Sequence, residues 1–73
     1  MAFPVSDAQY KVAAAHVRDA HGSPSKEAWE KSFDAAGAIM DRMDEEDPRY
    51  KTLSRELSGV MLFGLTMGFT TTP

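Results

Sequence analysis

The residues able to do chemistry in this 73-residue chain are thinly spread. Its two histidines are His16 and His21. Five positions apart, they point about 140° from each other on a helix that turns roughly 100° per residue, so they share no face as an i, i+4 metal pair does. His21 is expected to end an apolar stripe, with His16 on a flank near Asp19. The acidic run "DRMDEEDPRYKTLSRE" has some of the oxygen donors of a calcium loop. A twelve-residue frame opened at Glu45 places Glu56 at its last position. Arg49 and Tyr50 then stand where a ligand and the turn-making glycine belong, and Pro48 opens a helix. No metal and no cofactor is expected. The chain has no cysteine, which removes disulfides and thiolate zinc sites. No spacing gathers a nucleophile, a base and an orienting group, and a bundle of this length has little room for a substrate cavity. Enzyme activity is not expected.

Binding chemistry is better represented. The net charge of −3 is uneven: residues 23–47 hold three basic and eight acidic side chains, and residues 48–73 hold three basic and one acidic. Glu27, Glu30, Asp34, Asp41, Asp44 and Glu45 fall on the polar side of one helical repeat. They form an acidic face suited to a basic partner surface, even as a nucleic-acid mimic. Arg49, Lys51, Thr52 and Arg55 form a basic face after a tight turn, the outline of a helix-turn-helix DNA-binding regulator. Phosphate contacts dominate such binding, and the neighbouring Asp44, Glu45, Glu46 and Asp47 oppose it. Nucleic acid is therefore the alternative partner, not the expected one.

Three helices are predicted to position these groups. Ser6 with Gln9 makes a capping box, and Val5 with Tyr10 a hydrophobic staple. Tyr10, Ala13, Ala14, Val17 and His21 then recur at helical spacing until Gly22. Ser23-Pro24 and Asp47-Pro48 each read as a cap followed by proline at the first helical position. The second helix carries Trp29, Phe33, Ala36, Met40 and Met43 on one face, with Ile39 on its flank. The third carries Tyr50, Leu53, Leu57, Met61, Gly64, Leu65 and Gly68. The expected fold is all-α: a small three-helix bundle with helices near 6–21, 24–45 and 48–69. An extended arm over 1–5 and a disordered tail over 70–73 complete a single helical domain.

The apolar run "VMLFGLTMGF" over 60–69 exceeds what one core stripe needs. Leu62, Phe63, Met67 and Phe69 fall off that stripe and are expected to form an interface. Three coverings are open: the N-terminal arm with Phe3 and Val5, a second copy of the chain, or a different protein. Gly64 and Gly68 are expected to pack on the alanines of the first helix. A chain this short buries only about 60% of its unfolded surface, and small domains commonly add a staple or a subunit. A homodimer is therefore expected, in a non-catalytic protein-interaction module that acts as adaptor or inhibitor of an unidentified partner protein. The format is common among small accessory and phage-encoded proteins. The first ten residues show no secretory signal pattern, and no stretch approaches the roughly 20 apolar residues of a membrane helix. The cytoplasm is the expected compartment, with no membrane partner.

Overall fold

The computed structural model describes residues 3–70. They form α1 (Asp7–Ala20), α2 (Lys26–Met40) and α3 (Pro48–Met67), with no strand among the described residues. The thin dimension of the molecule is 14 Å. That accommodates two layers of helices spaced about 8–10 Å apart, so each helix keeps an outward face. The three-helix bundle expected from the helical spacing is the observed fold. Residues 1, 2 and 71–73, which carry the ends of the expected arm and tail, lie outside the described residues.

α1 opens as its residues dictate. Ser6 Oγ accepts the backbone N–H of Gln9, and the Gln9 side chain accepts the N–H of Ser6 in return. Two of the helix's unpartnered donors are satisfied by this exchange. Ala13, Val17 and Ala20 form its buried face, with Tyr10 and Ala14 half-buried beside them. His21 does not end the buried stripe; its residue is exposed, and its ring stacks on Phe63.

α2 starts later and ends earlier than its sequence signals suggest. Ser25, not Ser23, is the cap, accepting the N–H of Ala28 at 3.2 Å. Ser23 is buried and employed on the helix before: its hydroxyl donates to the Asp19 carbonyl at 2.7 Å and its N–H reaches the Ala20 carbonyl. Ser23 thus finishes α1 and leaves Pro24 in the link. At the other end the regular helix stops at Met40. Asp41, Asp44, Glu45 and Glu46 follow, and acidic groups are unfavourable at the negative end of a helix dipole. Tight turns carry the chain onward, with Arg42 and Met43 donating to the Ile39 and Met40 carbonyls, so Met43 remains buried. Asp44 Oδ1 accepts the N–H of Glu46, which shapes the bend before Asp47.

α3 opens at Asp47-Pro48 as expected. Asp47 Oδ1 accepts the N–H of Arg49 at 2.9 Å, and Pro48 fills a position whose N–H would have no helical partner. Its end is set by Gly68, which sits at φ +79°, a left-handed conformation that costs glycine little. Gly68 and Phe69 donate to the Leu65 and Gly64 carbonyls, the paired bonds of a Schellman cap. Gly68 is therefore an exposed cap and not a core position. The helix ends at Met67, two residues before its expected end, and Phe69 is turned back toward the bundle.

Candidate interaction face on the third helix

The side of α3 that faces inward is decided by Trp29. Its indole Nε1–H donates to the Val60 carbonyl at 3.1 Å, and its ring lies on the backbone at Gly64. A Cβ at position 64 would stand 2.6 Å from Trp29 Cε2. Gly64 is thus the contact that lets an aromatic ring of α2 reach the α3 backbone. The expected packing of Gly64 on α1's alanines is replaced by this one. The buried line of α3 runs through Leu53, Val60 and Gly64, with Leu53 and Val60 fully enclosed. Val60 was outside the expected stripe. Leu57, Met61 and Leu65, expected at its centre, are only half-buried.

This rotation redistributes the predicted interface. Phe63 and Phe69 are half-buried and packed against the core. They belong to a chain of aromatic contacts that runs from His21 through Phe63, Phe69 and Trp29 to Phe33, with centroid separations of 5.5, 6.0, 6.2 and 5.3 Å. Leu62 and Met67 remain exposed, at 65% and 53%. The described residues of the N-terminal arm, 3–5, do not cover them. Phe3 and Val5 lie at the other end of α3, beside Asp47, Pro48 and Arg49. The expectation that the arm might fold over the apolar end of α3 is corrected on this point.

The apolar surface left open is a groove of about 530 Å³ between α2 and α3. Phe33 forms its α2 wall; Leu57, Met61, Leu62 and Leu65 form its α3 wall, with Ser54 and Ser58 beside them. Along α3 these positions step i, i+3, i+4, i+7, i+8, i+11, the spacing of a helix-pairing face. That periodicity is legible in the sequence. Of its apolar positions the helical spacing predicts Leu57, Met61 and Leu65 inward and only Leu62 outward, because nothing local reveals which way Trp29 turns the helix. From Leu57 to the last residue, the chain carries no charged side chain.

The charged faces separate into spent and available groups. Arg49 is spent. Its Nη1 donates to Asp7 at 2.8 Å, its Nη2 to the Val5 carbonyl at 2.6 Å and to Asp47 at 2.7 Å, and its Nε reaches both Asp47 oxygens at 3.1 Å. Its guanidinium also lies 5.6 Å from the Tyr10 ring centroid. The hydrogen bond from Arg49 is the main cause that holds the buried Asp47 carboxyl below its ordinary value, against the opposing effect of burial. The same bond raises Arg49, so both stay charged. Of the alternative nucleic-acid set, Lys51, Thr52 and Arg55 stay exposed, and Thr52 Oγ1 donates to the Pro48 carbonyl. The acidic face is on the surface as expected: Glu27, Glu30, Asp34, Asp41, Asp44 and Glu45 are all exposed. Lys26 and Glu30 form an i, i+4 pair at 3.8 Å, both more than half exposed, a geometry that contributes little stability.

A second groove, of about 610 Å³, lies between α1 and α3. Tyr10, Arg18, His21, Arg55 and Glu56 line it with both signs of charge, and Gly59 leaves its floor open. No group of three or more metal-ligating side chains occurs among the described residues, and no helix there is long and apolar enough to cross a membrane. Comparison of the chain with protein-family models, with curated proteins and with solved structures gives no match.

Proposed function

We propose that this chain is a non-catalytic helical interaction module that self-associates as a dimer through the outer face of α3, with the cytoplasm as its expected compartment. In this reading the dimer serves as adaptor or inhibitor of a further protein, for which the acidic face of α2 is the docking surface. The observation that supports it is the open groove: Phe33, Leu57, Met61, Leu62 and Leu65 on one surface, with Leu62 65% exposed. Burying a leucine, isoleucine or methionine fully is worth about 1.5–3 kcal/mol, and a domain of this length has few other sources of stability. The residues proposed for the contact are therefore Leu62, kept from the sequence-based set, joined by Leu57, Met61 and Leu65.

Multi-angle light scattering on the wild type and on Leu62→Asp tests the proposal. The wild type is expected to be a dimer at micromolar concentration and the variant a monomer with unchanged helical circular dichroism. A wild type that remains monomeric at high micromolar concentration overturns the reading.

A further inference from the structure

The dimer reading leaves open how two copies are arranged, and the placement of charge along α2 and α3 answers that. α2 and α3 run antiparallel, joined by the link over 41–47. Trp29, near the start of α2, meets Val60 and Gly64, in the last half of α3. The first turns of α2, with Glu27 and Glu30, therefore flank the C-terminal half of α3. α3's own charges sit entirely in its first half: Arg49, Lys51, Arg55 and Glu56. Arg49 is taken up by Asp47, Asp7 and Val5. Lys51 and Arg55 form no ion pair within the chain among the described residues.

We infer that the second copy docks with its α3 antiparallel, the two helices meeting near Met61, so that Arg55 of each copy lies against Glu27 and Glu30 of the other. The inference rests on the dimer reading and specifies its geometry. A parallel pairing would set Lys51 and Arg55 beside their own counterparts, like charge on like charge. An antiparallel pairing removes that repulsion. Arg55 is six residues from Met61, about 9 Å at a rise of 1.5 Å per residue. On the facing helix the same distance beyond Met61 ends at Met67, alongside the first turns of α2. There α3 has no charge, and the flanking first turns of α2 carry the carboxylates of Glu27 and Glu30. Lys26 is already paired with Glu30 on its own helix, at 3.8 Å and half exposed, so it competes only weakly. The two-fold axis repeats the contact, which makes the surface self-complementary as an isologous interface requires. Leu57 faces Leu65 of the other copy, Met61 faces its twin, and no charged group enters the centre. Glu27 and Glu30 and the basic Arg55 are then the two halves of one contact, which steers approach as well as register, and Asp34, Asp41, Asp44 and Glu45 stay on the surface for a further protein.

The absence of cysteine makes the test clean, since each introduced thiol is the only one in the chain. Under mild oxidation Met61→Cys is expected to cross-link to itself. Leu57→Cys and Leu65→Cys are each expected to stay uncrosslinked alone and to join when mixed. Arg55→Glu is expected to weaken the dimer about tenfold, the scale of one charge-pair coupling, and Glu30→Lys added to it to recover the loss. Self-cross-linking of Leu57→Cys in a chain that light scattering shows to be dimeric overturns the antiparallel arrangement and leaves the dimer standing. A dimer indifferent to both charge changes overturns the charge register. A wild-type monomer removes the dimer reading itself.

Discussion

The first turn of α3 and its last turns are held by opposite means. At Asp47 and Arg49 the contacts are polar and saturated: a buried carboxylate, a guanidinium that uses all its edges, and a backbone carbonyl 44 residues away at Val5. Asp47 and Arg49 themselves have nothing left to offer a partner. From Leu57 onward the contacts are apolar and one-sided: Trp29 and the aromatic chain take the inner flank, while Leu62 is left exposed on the outer one. Directional charge fixes where the helix begins, and packing against a single ring fixes how it is rotated. A group consumed by the fold is lost to recognition, which is why the arginine most prominent in the sequence is the least available.

The largest effect is expected at the rotated end. Trp29→Ala removes the ring that seats α3, at a cost of about 3–5 kcal/mol. A chain of 73 residues has a total stability on the order of 4–11 kcal/mol, so urea or thermal unfolding followed by circular dichroism should show most of it gone. Gly64→Ala comes next. The added methyl must displace Trp29, at about 1–3 kcal/mol, and this outweighs the roughly 1 kcal/mol alanine gains over glycine in helix propensity. Gly37→Ala is its control, because a Cβ there meets nothing within 4 Å. That variant should be more stable than wild type by up to about 1 kcal/mol. If Gly64→Ala also stabilises, Trp29 does not set the rotation of α3.

The polar end responds to acid. Asp47 has its folded value below the ordinary 3.8. The charged carboxylate therefore favours the folded state at every pH above that ordinary value. The contribution fades as pH falls from 3.8 through the lower folded value, where both states become protonated. Asp47→Asn should melt lower than wild type at neutral pH, and the gap should close below about pH 4. A gap that persists unchanged at lower pH would assign the effect to lost packing and not to charge. Smallest is Leu62→Asp, whose side chain touches solvent: monomer stability should move by no more than about 0.5 kcal/mol, measured at a concentration where light scattering shows a monomer.

What could be read from the chain in advance was what local chemistry decides. Ser6 with Gln9, Asp47 with Pro48, and the glycine after His21 mark helix ends through bonds made within a few residues, whereas Gly68 reads as a core position and is a cap. The apolar face of α2 was legible for the same reason, since Trp29, Phe33, Ala36 and Met40 recur at steps of four, three and four. Ser23 before Pro24 reads as the cap of α2, but Ser25 takes that role because the Ser23 hydroxyl reaches back to Asp19. The rotation of α3 was invisible because it depends on a ring 31 residues away. The same cause displaced the interface: Phe63 and Phe69 are outward on a helical wheel, yet the Schellman turn at Gly68 brings Phe69 back onto Trp29 and Phe63. Arg49's role was hidden too, since Asp7 and Val5 lie 42 and 44 positions from it.

Trp29 is the sole tryptophan of the chain, and its N–H and ring are both committed to α3. The molecule therefore carries its own optical gauge. Indole emission depends on whether the N–H meets water or a carbonyl, so its wavelength reports how well α3 is seated on α2. The groove at Leu62 opens on the other flank of the same helix. Docking of a second copy there should leave the emission almost unchanged, whereas a ligand that pries α3 from α2 should shift it to the red.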